Sequence, residues 1–384
     1  MTVLDTEALP SHHALFPTQT LERMMAASAA QGALSCPNTN ALSMPHFQKA
    51  AQLVEQLANA LLNEQAEAFN EVRQQLTALL KKHGEPVTQW NPLVLELANP
   101  DILSGRTLSG MNFGMTRLCA SDGLLRLDHC NLQGSQFLCA DLSRVALPHA
   151  DLSGADCRYA DLREVDLSHA VLIEADLSHA KLSDANLNEA DLYCAKLNGA
   201  LAKQVCLQDA NLRKVDLRNA DLYQANLRFA RLQNTDLREV NLFMADLTGA
   251  RLRHADLRKA HLSFCSLKEA RLPNARLEGA NLTSANLTLA NLQKCRLSGG
   301  SFSRARFTQA KMNFATLQNT NLSEAIELET ANLQGAMYDQ NTHFPRGFKP
   351  KKHALTSTNL LGVKGMLYRM INRLSLPQPG HTAS

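Results

Sequence analysis

Residues 150–154 read Ala-Asp-Leu-Ser-Gly, residues 220–224 Ala-Asp-Leu-Tyr-Gln and residues 280–284 Ala-Asn-Leu-Thr-Ser. They are copies of one five-residue unit that runs from Cys130 to about Asn321 without a slip. A large residue, nearly always Leu, holds every position ending in 2 or 7 from Leu132 to Leu322. Phe137, Cys157, Ala202, Phe302, Phe307 and Met312 are the substitutes. Two places earlier stands a small residue, mostly Ala, with Val145, Val215, Thr235, Cys265 and Gly300 among the exceptions. Neither slot carries a charge. A period of five fits neither the 3.6 of a helix nor the 2 of a strand. The pattern predicts a stacked solenoid, with two residues in five facing inward and three outward.

This motif, Ala-(Asp/Asn)-Leu-X-X over about 190 residues, resembles the pentapeptide-repeat family. The resemblance implies an all-β solenoid, a right-handed quadrilateral β-helix in which four pentapeptides make one square coil. Leu132, Leu152, Leu172 and Leu192 would then share one column. No coil buries its Leu ring alone, so stability must come from neighbouring coils. Cys130, Cys265 and Cys295 in small slots, and Cys157 in a Leu slot, read as small buried hydrophobes. After Leu322 the phase shifts by one residue, pairing Ile326 with Leu328, Ala331 with Leu333 and Ala336 with Tyr338. Before Leu132 the series Leu103, Leu108, Phe113, Leu118 runs in another phase. Both ends read as irregular terminal coils. Residues 336–350 resemble an exit motif of the family, with Tyr338, Phe344 and Phe348 expected over the last Leu layer.

Outside the repeat, residues 1–42 read as a mobile N-terminal arm and 43–100 as an α-helical region. The β-helix is assigned to 101–340, and a basic tail to 341–384. Ser43 suits a helix N-cap, Pro45 the first turn and Gly84 the end. Phe47, Leu53, Val54, Leu57 and Leu61, then Phe69, Val72, Leu76 and Leu79, form an apolar stripe that skips a step, so two helices or one with a stutter are expected. The stripe packs on the first coil, self-associates into a homo-oligomer, or binds a partner. Trp90 is placed at the junction. In the tail, capped by Thr358 or Asn359, Leu360, Val363, Leu367, Met370, Ile371 and Leu374 share one helix face, with Lys364, Arg369 and Arg373 elsewhere. Such a helix either covers the open end of the solenoid or lies on an anionic membrane.

The 384 residues carry a net charge of +3, unevenly spread. Residues 1–130 hold −4, 131–200 −6, 201–322 +10, 323–339 −4 and 340–384 +7. No run reaches the roughly 18 apolar residues of a membrane span, and no secretory signal opens the chain. Nine cysteines without framework spacing suit a reducing compartment. The expected location is therefore cytoplasmic, with a membrane-peripheral position or non-classical secretion as alternatives.

No phosphate loop, nucleophile elbow, HExxH or paired-cysteine motif occurs, so no catalytic residue, cofactor or metal is expected. Asp141, Asp151, Asp161, Asp191 and Asp221 fill the polar position before the central Leu. Asp216/Arg218, Asp236/Arg238 and Asp256/Arg258 should form a charge ladder. His149 and His169, one coil apart, are too few for a metal site.

Two surface features stand out. Tyr223, Phe243, Met244 and Phe264 fall on outward positions of one face, with Phe229 on the adjoining one. Exposed apolar clusters mark interaction sites, unless a loop or the N-terminal helix covers them. Arg213, Arg231, Arg251, Arg253, Arg271 and Lys311 flank the Leu column of another face. That column suits an anionic partner or is a solvated face. The expected function is a non-catalytic scaffold or adaptor that binds a protein; nucleic acid is not expected. The resemblance adds two alternatives: a secreted bacterial effector acting on a host protein or membrane, and a DNA mimic that protects topoisomerases. The +10 of residues 201–322 departs from the latter.

Overall fold

The structure is a computed structural model. It describes residues 63–82, 93–97, 103–114, 116–120 and 124–358, with eight helical residues between 49 and 61. The N-terminal arm, Ser43, Pro45, Trp90 and the tail residues Leu360 to Leu374 lie outside the described residues.

One repeat shows why the chain coils. Of the five backbone N–H groups in residues 151–155, Asp151 N–H donates back to Cys130 O (2.9 Å), while Leu152 and Gly154 donate forward to Val171 O (2.7 Å) and Ile173 O (2.8 Å). Ala155 N–H closes a turn onto Leu152 O at 3.0 Å. The remaining donor, Ser153 N–H, is taken by the Asp151 carboxylate at 2.9 Å. All five donors are satisfied, as a folded backbone requires. The acidic or amide residue before each Leu is thus a turn acceptor of the Asx type.

The fourth residue of the repeat, third in its closing turn, has positive φ: 57° at Glu164, 58° at Phe229 and 60° at Phe264. A positive φ at the third position of a four-residue turn is the type II arrangement. Side-chain-bearing residues adopt it here at a cost, which the bonds to neighbouring coils offset.

Isolated parallel bridges join residue i to i+20, as in Asp151↔Val171, Asp156↔Asp176, Asp161↔Lys181 and Asp166↔Asn186. Four bridge columns per 20 residues make a four-walled coil, with the Leu and Ala slots buried inside. The chain divides into two compact units, Met1–Asp216 and Leu217–Ser384.

In the first unit, the early series is inside: Leu103, Leu108, Phe113 and Leu118 are all buried. Their coil partners lie 24 residues on (Thr107↔Asn131, Asn112↔Gln136) because extra residues enter after Ala120. Helix α1, Ala66–Lys82, follows a break at Asn63–Gln65 where Glu64 takes a φ of 58°. The skipped step in the stripe is this break. Phe69 is fully buried, its ring 5.1 Å from Phe113, which stacks at 5.1 Å on Phe137. Asn70 exchanges bonds with Gly110 O and Asn112 N–H, and Arg73 donates to Gly114 O. The helix therefore packs on the first coil. Residues 93–97 depart from the helical assignment of 43–100: they form strand β1, Leu93–Leu97, parallel to β2, Thr116–Ala120.

In the second unit, the phase change occurs one residue later than the pattern suggests. Ile326 is not a small inward slot; it is 39% exposed and bridges Arg306. Glu327, at φ 55°, is the inserted residue, and the inward series resumes at the buried Leu328. Beyond it, β3 (Met337–Tyr338) pairs in parallel with β4 (Thr356–Ser357). Tyr338 meets Phe344 edge-on at 5.5 Å, and Phe344, Phe348 and His353 stack at 5.1 and 4.7 Å. The Thr358 hydroxyl donates to Tyr338 O.

The cysteines behave as lattice residues. Burial pushes the Cys130 thiol up to about 11 and the Cys157 thiol to about 12, and raises Cys265 and Cys295 as well. Cys130 and Cys295 donate to carbonyl oxygens of Leu103 and Leu272. Gly300 is glycine for packing: a Cβ there would lie 2.8 Å from the ring of Phe302, which replaces a Leu.

Candidate functional site

Outward residues around each Leu column form one wall, and the walls of the second unit differ sharply in chemistry. The wall over Leu222, Leu242, Leu262 and Leu282 is aromatic, and Asp221 on its first coil is its one acidic residue. Tyr223 and Phe243 stack at 5.8 Å with planes 3° apart. Phe264 meets Phe243 edge-on at 5.4 Å, and His261 tilts against it at 5.3 Å. Phe264 is 54% exposed and Met244 46%. From Asn241 to Ser303 this wall has no Asp, Glu, Lys or Arg. An uncharged aromatic surface of this kind has the composition of an interface core.

Phe229 is not drawn into that group. Its ring lies over Gly249, 2.5 Å from where a Cβ would stand, with the Arg228 guanidinium 5.8 Å from its centroid. Phe314 covers Gly335 and His179 covers Gly199 in the same way. These exposed rings shield a glycine in the next coil, which explains their exposure without a partner.

Opposite the aromatic wall stands a cationic one. Arg231, Arg251, Arg271, Asn291 and Lys311 bridge in one column, and Arg253 and Lys294 flank it. No acidic residue interrupts this wall between Arg231 and Lys311. All six cations but Lys294 belong to the anion-binding set expected from sequence. Among the described residues, none of Arg231, Arg251, Arg271 and Lys311 pairs with a carboxylate. Burial, and then the Arg253 charge, hold His254 below the usual imidazole value; Arg253 Nε donates to His254 Nε2 at 3.2 Å. Arg213 belongs to the first unit, where its guanidinium lies 5.5 Å from the Tyr193 ring.

The neighbouring wall is ion-paired. Arg238 binds Asp236 at 2.6 Å and Arg258 binds Asp256 at 2.7 Å. Arg276 reaches Asp256 at 3.6 Å and Arg296 reaches Glu278 at 3.9 Å.

In the first unit His149 and His169 are joined by His129 in a stack with centroids 4.8 Å apart and planes within 6°. Parallel stacked rings cannot both aim their in-plane lone pairs at one ion. No cluster of three or more potential metal ligands occurs among the described residues. No described helix is long and apolar enough to cross a membrane.

The family model for pentapeptide repeats matches in eight copies, in segments running from residue 126 to residue 324. The chain belongs to the pentapeptide-repeat family. Its solenoid is the right-handed β-helix of that family. HetL from the cyanobacterium Nostoc sp. strain PCC 7120, a pentapeptide repeat protein involved in heterocyst differentiation regulation, is 30% identical. That match covers 67% of this chain and 91% of HetL, with a TM-score of 0.28. The pentapeptide repeat protein alr5209 from Nostoc PCC 7120 is 35% identical over 28% of this chain and 86% of its own, TM-score 0.27. QnrB1, a plasmid-mediated fluoroquinolone resistance protein, is 19% identical over 75% of this chain and 98% of its own, TM-score 0.23. No match is found among curated proteins.

Within this pentapeptide-repeat protein, sequence reasoning missed His261 and Lys294. Their positions, 20 residues from Asn241 and 40 from His254, signal the walls on which they stand. The turn-acceptor role of Asp and Asn also went unread, because it depends on which N–H lacks a coil partner.

Proposed function

We propose that the protein is a non-catalytic scaffold that binds a protein partner through the aromatic wall of its second unit. The observation that supports this reading is the contiguous ring group Tyr223, Phe243 and Phe264, which runs from the coil of Asp221 onto a stretch free of Asp, Glu, Lys and Arg from Asn241 to Ser303. Such a surface loses little by desolvation when covered, whereas charged walls must replace their hydration. The repeat supplies a stiff platform, because backbone bonds join each coil to the next and the Leu and Ala slots are filled. The acid-free wall opposite counts against a DNA mimic, whose surface must be negative. Membrane attachment through the tail and export through the arm rest on residues outside the described ones.

Phe243→Asp combined with Phe264→Asp tests the reading. Asp184 and Asp209 already occupy the turn position of Phe264 in other coils, so the fold accommodates the change. Affinity capture from the native cell should lose its specific partner while the circular dichroism spectrum and Tm stay those of the parent. Capture unchanged in the double variant would remove the aromatic wall as the docking surface.

A further inference from the structure

The unpaired arginine column calls for an acidic counterpart. Like charges one coil apart, at the strand spacing of about 4.8 Å, repel by some tenths of a kcal/mol per pair even in water. Elsewhere in the same unit arginines are neutralised by an Asp two residues earlier. On the cationic wall those positions hold Arg231, Arg251 and Arg271 themselves, so nothing inside the unit answers them.

The chain also carries a surface of opposite sign. In the first unit one wall holds Asp151, Glu174 and Asp191 on three successive coils: Asp151 and Asp191 stand in the bridge column on either side of Val171, and Glu174 stands at the turn of the middle coil. Between Asn131 and Cys194 that wall has no Lys or Arg. Glu174 is exposed, and Asp151 and Asp191 are half-buried. Among the described residues, none of the three pairs with a cation; Asp151 accepts from Ser153 N–H and the Gln133 side-chain amide, and Asp191 from Tyr193 N–H and the Asn211 side-chain amide. Val171, Ile173 and Tyr193 lie among them and give the wall an apolar centre.

We propose that the cationic wall of one molecule docks on the acidic wall of a second copy, three arginines against three carboxylates. Each wall places one charge on each of three successive coils, so both present three charges over the same length of solenoid. A nucleic-acid strand does not share this pitch: its charges rise about 3.4 Å along a duplex and wind away from a flat face. The sign match is also already encoded in the chain, whereas an outside polyanion would answer only one of the two walls.

Charge swapping in the full-length protein tests this. One variant carries Arg231→Asp, Arg251→Asp and Arg271→Asp; the other carries Asp151→Lys, Glu174→Lys and Asp191→Lys. Asp246 and Asp256, and Lys181 and Lys196, occupy the bridge position in other columns, and Lys214 and Lys259 occupy the turn position of Glu174, so both sets suit the coil. Circular dichroism and thermal melts establish that each variant is folded. Sedimentation equilibrium should show the parent self-associating at low salt, with affinity falling at least about tenfold between 0.05 and 0.5 M salt as screening shortens the range of the charges. Each variant alone should be monomeric, and their equimolar mixture should associate again. A monomeric parent at low salt, or a mixture that stays monomeric, overturns the proposal. So does a parent that binds a labelled oligonucleotide through the arginines while remaining monomeric, which would assign the wall to nucleic acid instead.

Discussion

The cationic and ion-paired walls of the second unit are neighbouring faces of the same coils, yet they treat arginine in opposite ways. On the ion-paired wall the arginine stands after the Leu and folds back on the Asp before it: Arg258 Nε and Nη2 both reach the Asp256 carboxylate. On the cationic wall the arginine takes the place of that Asp, at Arg231, Arg251 and Arg271; the turn N–H two residues on loses its acidic acceptor at Gln233 and Arg253, and Pro273 has no N–H to satisfy. A shift of two positions within a five-residue unit thus turns a self-neutralised surface into an open one. The solenoid core is indifferent to the choice, because both positions point outward. This is how a repeat fold keeps its interior constant while its faces diverge.

The comparison breaks most severely from the inside. Leu252 lies behind the cationic wall and Leu257 behind the ion-paired wall, and both are fully buried. Leu252→Ala and Leu257→Ala should each cost about 2–5 kcal/mol, and to a similar extent, in urea unfolding. A loss confined to one of them would show that the walls contribute unequally to the core.

A smaller effect is expected at the pair itself. Asp256 accepts from the Arg258 guanidinium and the Arg258 N–H, and pairs with Arg276 at 3.6 Å. Partial burial raises its pKa, but the Arg258 bonds and the two guanidinium charges outweigh this and hold it below the usual carboxylate value. Asp256→Asn should cost about 1–2 kcal/mol at pH 7. The sign of the pH dependence follows from the depressed value. The contribution is complete above the unfolded carboxylate range, near pH 4, and is lost as pH falls through the folded value. The parent's stability should therefore drop more steeply below about pH 4 than that of the variant. Parallel curves would mean that Asp256 titrates alike in both states.

Smallest of all is the expected change on the cationic wall. Arg251→Gln should lie within about 0.5 kcal/mol of the parent and lean toward stabilisation at low salt, since it removes one member of a repulsive column. Thermal melts at low and high salt check this; destabilisation comparable to Asp256→Asn would mean that Arg251 has a partner in the folded chain.

The coil was legible because its signal repeats some forty times in one phase, so the inward slots follow by counting, while the resemblance to the pentapeptide-repeat family implied four repeats to a coil. Placing Tyr223, Phe243 and Phe264 on one wall needed both, and their ring contacts agree with it. Phe229 shows the limit. Counting placed it beside the patch, but its ring settles on Gly249, a choice made by the missing Cβ one coil away. Ile326 shows another: the pattern reveals that one residue is inserted, while the turn at Glu327 decides which.

By itself the sequence determined the period, the buried slots and the distribution of charge among the walls, because every side chain's direction follows from its place in a unit of five. Tertiary structure alone decided which arginines are neutralised, which rings stack and where α1 rests. Those outcomes depend on how side chains reach across the gap between coils, and on which backbone donors the neighbouring coil leaves unsatisfied.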